Sequence, residues 1–287
     1  MKAAVIDIGS NSVRLMLWAD GNVLVKKLST TRLGEGTAFS ATLKPEAIER
    51  TAQAVCTFAA ESKKEGADVV YAYATEAVRS ASNGSAFTER VRELTGLTVD
   101  VLSGETEAEL GLSGALRDLP DGGMIDVGGA STEVSFRRAG RLSFSVSIPL
   151  GAVRLFDLCH DERALLAETI APHLSKLETA PKDLPVFGVG GTATTVASLH
   201  LKLHQYSAAA VQGCRISAEE LRRLTDRLLS LSAEERKQLP GMDVRRADII
   251  GGGCFLLNTV LMALEANELI VSDSDNLEGY LAWKGIR

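Results

Sequence analysis

The sequence predicts an α/β protein of two similar lobes with a cleft between them, and three observations carry that prediction. The chain has 287 residues, enough for two domains at about 150 residues each. Short apolar strands alternate with helical stretches along its length, the pattern of an α/β fold. A repeat at an offset of 119 residues sets Asp7 on Asp126, Gly9 on Gly128, Ser12 on Ser131 and Gly21 on Gly140. Each copy reads as an apolar run, an Asp, an aliphatic residue, a Gly, small polar residues and a second alternating strand. The last Gly of each copy sits at the turn expected to close a hairpin.

The elements follow in order. Residues 4–20 form the first hairpin. Residues 45–65 place Ala47, Ile48, Val55, Phe58 and Ala59 at helical spacing. Residues 69–74 read as a buried strand, 86–95 as a helix, 99–102 as a strand and 105–116 as a helix. The stretch 117–123 is the best linker candidate, which gives lobes at 1–118 and 119–287. In the second lobe, 124–127, 133–136, 142–148, 186–189 and 268–271 read as strands. Helices are expected at 164–177, 217–231, 246–265 and 277–283, the last of them able to pack back on the first lobe.

Composition narrows the function. Hydrophobic residues make up 45% and charged residues 24%, a globular balance that excludes a disordered or fibrous chain. The net charge of -6 argues against nucleic-acid binding through bulk charge. An anionic small substrate remains compatible, because a pocket can be locally positive on an acidic chain. Four cysteines without a C-x-x-C pair point to reduced thiols in a cytoplasmic protein. The N-terminus puts Asp7 where a signal peptide needs an apolar core. The uncharged runs 184–201 and 249–264 are interrupted by glycines and hydroxyls, so no membrane span is expected.

Three loops carry the chemistry. Asp7-Ile8-Gly9-Ser10-Asn11-Ser12 opens the first lobe, and Asp126-Val127-Gly128-Gly129-Ala130-Ser131-Thr132-Glu133 is its partner in the second. Glycine allows a close backbone approach, and successive N–H groups in such a turn make an anion-binding nest. Gly190-Gly191-Thr192 follows a strand and enters a helix, a third place where backbone donors meet a helix N-terminus. Together the loops favour a phosphate held between the lobes. Asp7 and Asp126, at strand tips, could hold Mg²⁺ through oxygen ligands or simply bond the following backbone as Asx-turns; Asp126 also has Glu133 nearby. Glu105, Glu107 and Glu109 sit in the first turns of a helix, where acids suit the helix dipole. Capping accounts for Glu105 and Glu109. Arg79, just past a strand, is of the type that forks onto phosphate. His200 and His204, four apart on an expected helix, have no third ligand and read as a solvated face. No G-x-x-x-x-G-K-[ST] loop is present.

The segments DIGSNSVRL (7–15), ATEAVRSASN (74–83), SGETEA (103–108), DVGGASTE (126–133), PLGAVRL (149–155), 188–195 and RADIIGGG (246–253) resemble, in order, the signatures of the exopolyphosphatase/guanosine pentaphosphate phosphatase (Ppx/GppA) family. The resemblance implies two ribonuclease-H-like, actin-like lobes of the short, two-domain kind, and a homodimer. It also implies removal of the terminal phosphate from inorganic polyphosphate or pppGpp with Mg²⁺, or Mn²⁺ in its place. Residue by residue, it makes Glu107 the catalytic base, with Asp126 and Glu133 positioning metal and water. It also matches Asn11, Arg79, Ser131 and the Gly190-Gly191 loop to phosphate contacts; the reading of the loops themselves adds Ser10, Ser12, Gly128, Gly129 and Thr192 to the phosphate contacts and Asp7 to the metal set. The chain departs from the family pattern at Ala130, at Thr106 and across 272–279. Two other readings stay open: a kinase or nucleotide hydrolase of the same superfamily, and a non-catalytic sensor of penta- or tetraphosphorylated guanosine.

Overall fold

The computed structural model describes residues 1–37, 39–116 and 119–286. In chain order it begins with β1 (Lys2–Ile8), β2 (Ser12–Ala19), β3 (Asn22–Thr30), α1 (Pro45–Lys64), β4 (Val69–Ala74), α2 (Glu76–Arg79), α3 (Gly84–Thr95), β5 (Val99–Val101) and α4 (Gly104–Leu116). There follow β6 (Gly122–Val127), β7 (Thr132–Arg138), β8 (Arg141–Ile148), α5 (Ala152–Cys159), α6 (Arg163–Ile170), β9 (Val186–Val189), α7 (Gly190–His200) and α8 (Ala208–Val211). The chain then runs through β10 (Arg215–Ser217), α9 (Ala218–Ser230), α10 (Ala233–Arg236), α11 (Ile250–Ala263), β11 (Glu268–Val271) and α12 (Asn276–Trp283).

These elements make two compact units. One comprises Met1–Glu107 with Leu277–Arg287, the other Ala108–Asn276. The division therefore falls inside α4 rather than at 118/119, and the last helix belongs with the first unit. Of the expected linker, Arg117 and Asp118 lie outside the described residues.

The sheet of the first unit has the order β3-β2-β1-β4-β5; that of the second is β10-β11-β9-β6-β7-β8. With β6, β7, β8, β9 and β11 in the places of β1, β2, β3, β4 and β5, the orders agree. This is the ribonuclease-H-like arrangement, with β10 added antiparallel at one edge. The repeat extends to the turns. Asp20 and Gly21 close β2–β3, and Ala139 and Gly140 close β7–β8, each pair with positive φ at both residues, the geometry that matches strand twist in a two-residue hairpin.

Each unit has its own apolar core. In the first, Ile6, Leu15 and Ala72 from the sheet pack with Val55 of α1 and Phe87 of α3. In the second, Ile125, Val134 and Val186 pack with Val196 of α7 and Leu257 of α11. Among the described residues no helix is long and apolar enough to cross a membrane. Three expected helices are shorter than anticipated. The stretch 164–177 is α6 followed by a 3-10 helix, Ala171–Leu177, where Pro172 withholds an N–H from the α ladder. The stretch 246–265 becomes a 3-10 turn, Val244–Arg246, then α11. Helix α7 ends at His200, so His204 is not on it.

An aromatic cluster fastens α12 to the first sheet. The Tyr280 ring stacks on Tyr73 with centroids 4.6 Å apart and meets the edge of Tyr71 at 6.1 Å. Tyr280 Oη and Lys284 Nζ both donate to Asp100 Oδ2, at 2.5 and 2.7 Å. Burial pushes the Asp100 carboxyl up, but these two donors outweigh it and hold it below the ordinary Asp range. A depressed carboxyl stabilises the fold above the unfolded-chain pKa of about 4 and ceases to as pH falls through its lower folded value. Asp100→Asn is therefore expected to lower unfolding free energy by about 1 kcal/mol at pH 7, allowing for solvent screening. The gap from wild type should narrow below about pH 4 in urea titrations run at both pH values.

Candidate active site

In the first unit the hairpin turn between β1 and β2 is built for close packing. The Gly9 N–H donates to the Ser12 carbonyl at 3.0 Å. The Ser10 carbonyl accepts from Gly34 N–H (2.8 Å), and the Asn11 carbonyl from the N–H groups of Thr31 and Arg32 (3.0 and 2.9 Å). In a trans peptide the C=O and N–H point opposite ways. The N–H groups of Asn11 and Ser12 are thus directed away from the 31–34 segment. Ser10, Asn11 and Ser12 are all buried. Asn11 Nδ2 donates to Ser12 Oγ at 3.1 Å, and its buried Oδ1 has no hydrogen-bond partner.

Asp7 sits directly across from Arg14 in the β1–β2 register. Arg14 Nε donates to Asp7 Oδ2 at 2.8 Å, and Nη2 reaches the same oxygen. The expected metal ligand Asp7 is therefore already met by a cation of its own hairpin.

Farther along the same unit, α4 starts where Ser103 Oγ accepts the Thr106 N–H at 3.1 Å, a side-chain cap of the first turn. Of its three acids, Glu105 and Glu109 are exposed and Glu107 is buried. Arg79, at the end of α2, donates through Nη1 to Glu107 Oε2 at 3.1 Å and to the Leu102 carbonyl at 2.6 Å. Its Nη2 engages Glu76. Burial disfavours the charged guanidinium, but Glu107 and Glu76 outweigh it and raise the Arg79 pKa above its ordinary value. Arg79 and Glu107, 28 residues apart in sequence, thus form one unit, with Arg79 fixing the Glu107 carboxylate in place.

The second unit repeats the hairpin with one change of charge. Asp126 pairs with Glu133 in the β6–β7 register, the positions that Asp7 and Arg14 hold in the first. Glu133 is 3% exposed and accepts from Ser147 Oγ on β8 at 3.0 Å. The Gly128 N–H donates to the Ser131 carbonyl at 3.0 Å, reproducing the Gly9–Ser12 turn. The carbonyls of Gly128 and Gly129 accept from Ala152 (2.8 Å) and from Val153 and Arg154 (2.9 and 3.0 Å). The N–H groups of Gly129 and Ala130 accordingly face away from α5, two successive donors of the kind that cradle an anion. A Cβ on Gly151 would stand 2.5 Å from the Gly129 carbonyl carbon, so only glycine lets α5 approach.

The third loop is set against this hairpin. Gly190 has φ +75°, and a Cβ there would lie 2.4 Å from Asp126 Oδ1. A Cβ on Gly191 would lie 2.1 Å from Arg246 Nη2. A carboxylate and a guanidinium therefore lie over adjacent glycines. Thr192 Oγ1 donates to the Val127 carbonyl at 2.8 Å, and the residue is 2% exposed. Its hydroxyl ties the loop to the end of β6, so what the loop has to offer a ligand is its backbone N–H groups. The sequence does not single out Arg246, which the fold brings over Gly191. Its signal was the run of three glycines five residues on, which marks a helix that something approaches closely. Among the described residues, no three His, Cys, Asp or Glu side chains are grouped to hold a metal ion.

Comparison with known proteins is consistent along the whole chain. Residues 16–283 match the Ppx/GppA phosphatase family. Exopolyphosphatase 2 of Mycobacterium tuberculosis is 31% identical over 309 aligned positions that cover 97% of each chain. The crystal structure of an exopolyphosphatase from Cytophaga hutchinsonii superposes with a TM-score of 0.89 at 25% identity, covering 100% of this chain and 99% of that one. The Ppx/GppA family member of Aquifex aeolicus gives 0.80 at 29% identity, over 99% and 97% of the two chains. Sequence and backbone agree nearly end to end with proteins of one kind, which makes this chain a member of the Ppx/GppA phosphatase family.

Proposed function

We propose that this phosphatase hydrolyses the terminal phosphoanhydride bond of inorganic polyphosphate, of pppGpp, or of both, with Glu107 as the base and a divalent cation at Asp126 and Glu133. The observation that carries the reading is the charge change between the two hairpins. In one, Asp7 meets Arg14; in the other, Asp126 meets Glu133. Like charges directly opposite on antiparallel strands are unfavourable; Arg246, over Gly191 next to Asp126, offsets part of that repulsion, and a divalent cation would offset more of it.

The donor set suits the cation expected. Mg²⁺ is a hard ion that takes one or two carboxylates and fills its remaining positions with water and substrate phosphate oxygens. The two carboxylates of Asp126 and Glu133 fit that habit, and Mn²⁺ prefers the same oxygen donors. Asp7, engaged by Arg14, is left out of the set. When bound, the cation would neutralise phosphate charge. The chain's own contribution is the outward-facing N–H pairs of the two hairpin turns, the Arg246 guanidinium and the Glu107 carboxylate that Arg79 holds. Most of the rate enhancement in phosphoryl transfer comes from such positioning and electrostatics. The same reading carries a homodimer in the cytoplasm, the former to be measured by light scattering.

Phosphate release from long polyphosphate, short polyphosphate and pppGpp, with Mg²⁺ and with chelator, tests the proposal. Release that requires metal is expected, and the three rates rank the substrates. No release from any of them, with tight alarmone binding, would replace the enzyme by a sensor. Faster turnover of ATP than of all three would replace it by a nucleotide hydrolase or kinase.

A further inference from the structure

Outside the residues already discussed, the second unit contains an ion pair between the buried Arg236 and the half-buried Asp161. Arg236 is 2% exposed. Its Nε donates to the Leu228 carbonyl at 2.8 Å, and its Nη1 to Asp161 Oδ2 at 2.5 Å and to the Ala247 carbonyl at 3.1 Å. Asp161 lies just past α5, where both it and His160 have positive φ (+64° and +44°). Neither is glycine, and neighbouring structure must hold two successive left-handed residues in place.

What the pair holds is the start of α11. A Cβ on Gly251 would lie 2.7 Å from both Asp161 carboxylate oxygens and 2.8 Å from Arg236 Nη2. The pair is thus laid against the helix backbone at its second residue. The Asp161 carboxylate sits where the helix dipole favours an anion. Two residues beyond, a Cβ on Gly253 would touch Ala152 of α5 at 3.0 Å and Thr192 of the third loop at 3.2 Å. The residue that Arg236 grips by its carbonyl, Ala247, directly follows Arg246, whose guanidinium lies over Gly191.

We propose that Arg236 and Asp161 are positioning residues that set Arg246, and through it the charge balance at Asp126, for a phosphate substrate. This rests on the phosphate-release reading above. Within its own 3-10 turn Arg246 meets Asp243, Nε to Oδ2 at 4.0 Å, a contact that moves with the turn and so does not place the turn itself. Arg236 Nη1, shared between the Ala247 carbonyl and the half-buried Asp161 carboxylate, fixes where that turn stands. The substrate never touches the pair; the pair decides where the arginine that meets the substrate stands.

A double-mutant cycle separates this role from simple scaffolding. Asp161→Asn and Arg246→Gln are made singly and together, and kcat/KM for polyphosphate and the thermal midpoint are measured for each. Asp161→Asn is expected to lower kcat/KM by about 10- to 100-fold in the wild-type background, the cost of a displaced site group. In the Arg246→Gln background it should cost less than about twofold, because the group it positions is already gone. The fall in midpoint should be the same in both backgrounds. Should Asp161→Asn fail to fold, Arg236→Lys, which keeps the charge and loses the planar fork, takes its place in the cycle. Additive activity losses would overturn the proposal while leaving phosphate release by the wild type intact. Wild-type activity in Arg246→Gln would overturn it as well. Absence of release from the wild-type protein would overturn the parent reading and this one together.

Discussion

Glu107→Gln is expected to release phosphate about 10²–10⁴-fold more slowly than the wild type, the range for removing a general base, with KM changed far less. Gln keeps the size of the side chain and an oxygen able to accept from Arg79 Nη1. Arg79 also retains the Leu102 carbonyl and Glu76, so the local fold has little reason to move. What disappears is the basic oxygen. Loss of an interaction made only in the transition state lowers kcat and kcat/KM together. Steady-state phosphate release on the preferred substrate, with the thermal midpoint as a control for folding, decides the matter. Turnover within a few-fold of wild type would end the role assigned to Glu107.

Gly190→Ala should be nearly as damaging, for a different reason. Residue 190 has a left-handed backbone, which costs a non-glycine residue about 1–2 kcal/mol. The new methyl would also stand 2.4 Å from Asp126 Oδ1, closer than any real contact, so the carboxylate or the loop must shift. Displacing a site group by about 1 Å can cost 10²-fold in rate, and that is the fall expected here. Gly96→Ala provides the control. Gly96 has the same φ of +75° at the end of α3, with nothing within 4 Å of its missing Cβ. It should show the backbone penalty in a denaturation curve and none of the loss of activity. Equal behaviour of the two variants would mean that the approach of Asp126 to the loop has no catalytic weight.

The sequence made the hairpins readable because their turns are chemically constrained. An Asp followed two residues later by Gly, and a second turn with positive φ, recur at one offset with few residue types able to satisfy them. The strand and helix boundaries that followed from alternation, such as β4 and β9, depend on local pattern in the same way. What local pattern could not show depends on distance along the chain. Arg79 and Glu107 meet across 28 residues. The opposition of Arg14 and Glu133 at matching positions is visible only once register is known. The short helix α5 and the edge strand β10 carry too few turns or pairs to announce themselves. The inward hydroxyl of Thr192 follows from the packing of α7 on β6, which a loop sequence does not encode.

The first unit is assembled from two stretches of chain that the whole of the second unit separates. On a ribosome, β1 through β5 emerge early, with the faces of Tyr71 and Tyr73 lacking the ring of Tyr280 that later covers them. The second unit, drawn from one continuous stretch, completes its sheet before that cover is synthesised. Contacts of such long sequence separation form slowly, because loop closure must precede the interactions that reward it. The order of synthesis thus leaves a half-dressed sheet waiting on α12, and a partly finished chain of this design presents apolar surface until that helix has been made.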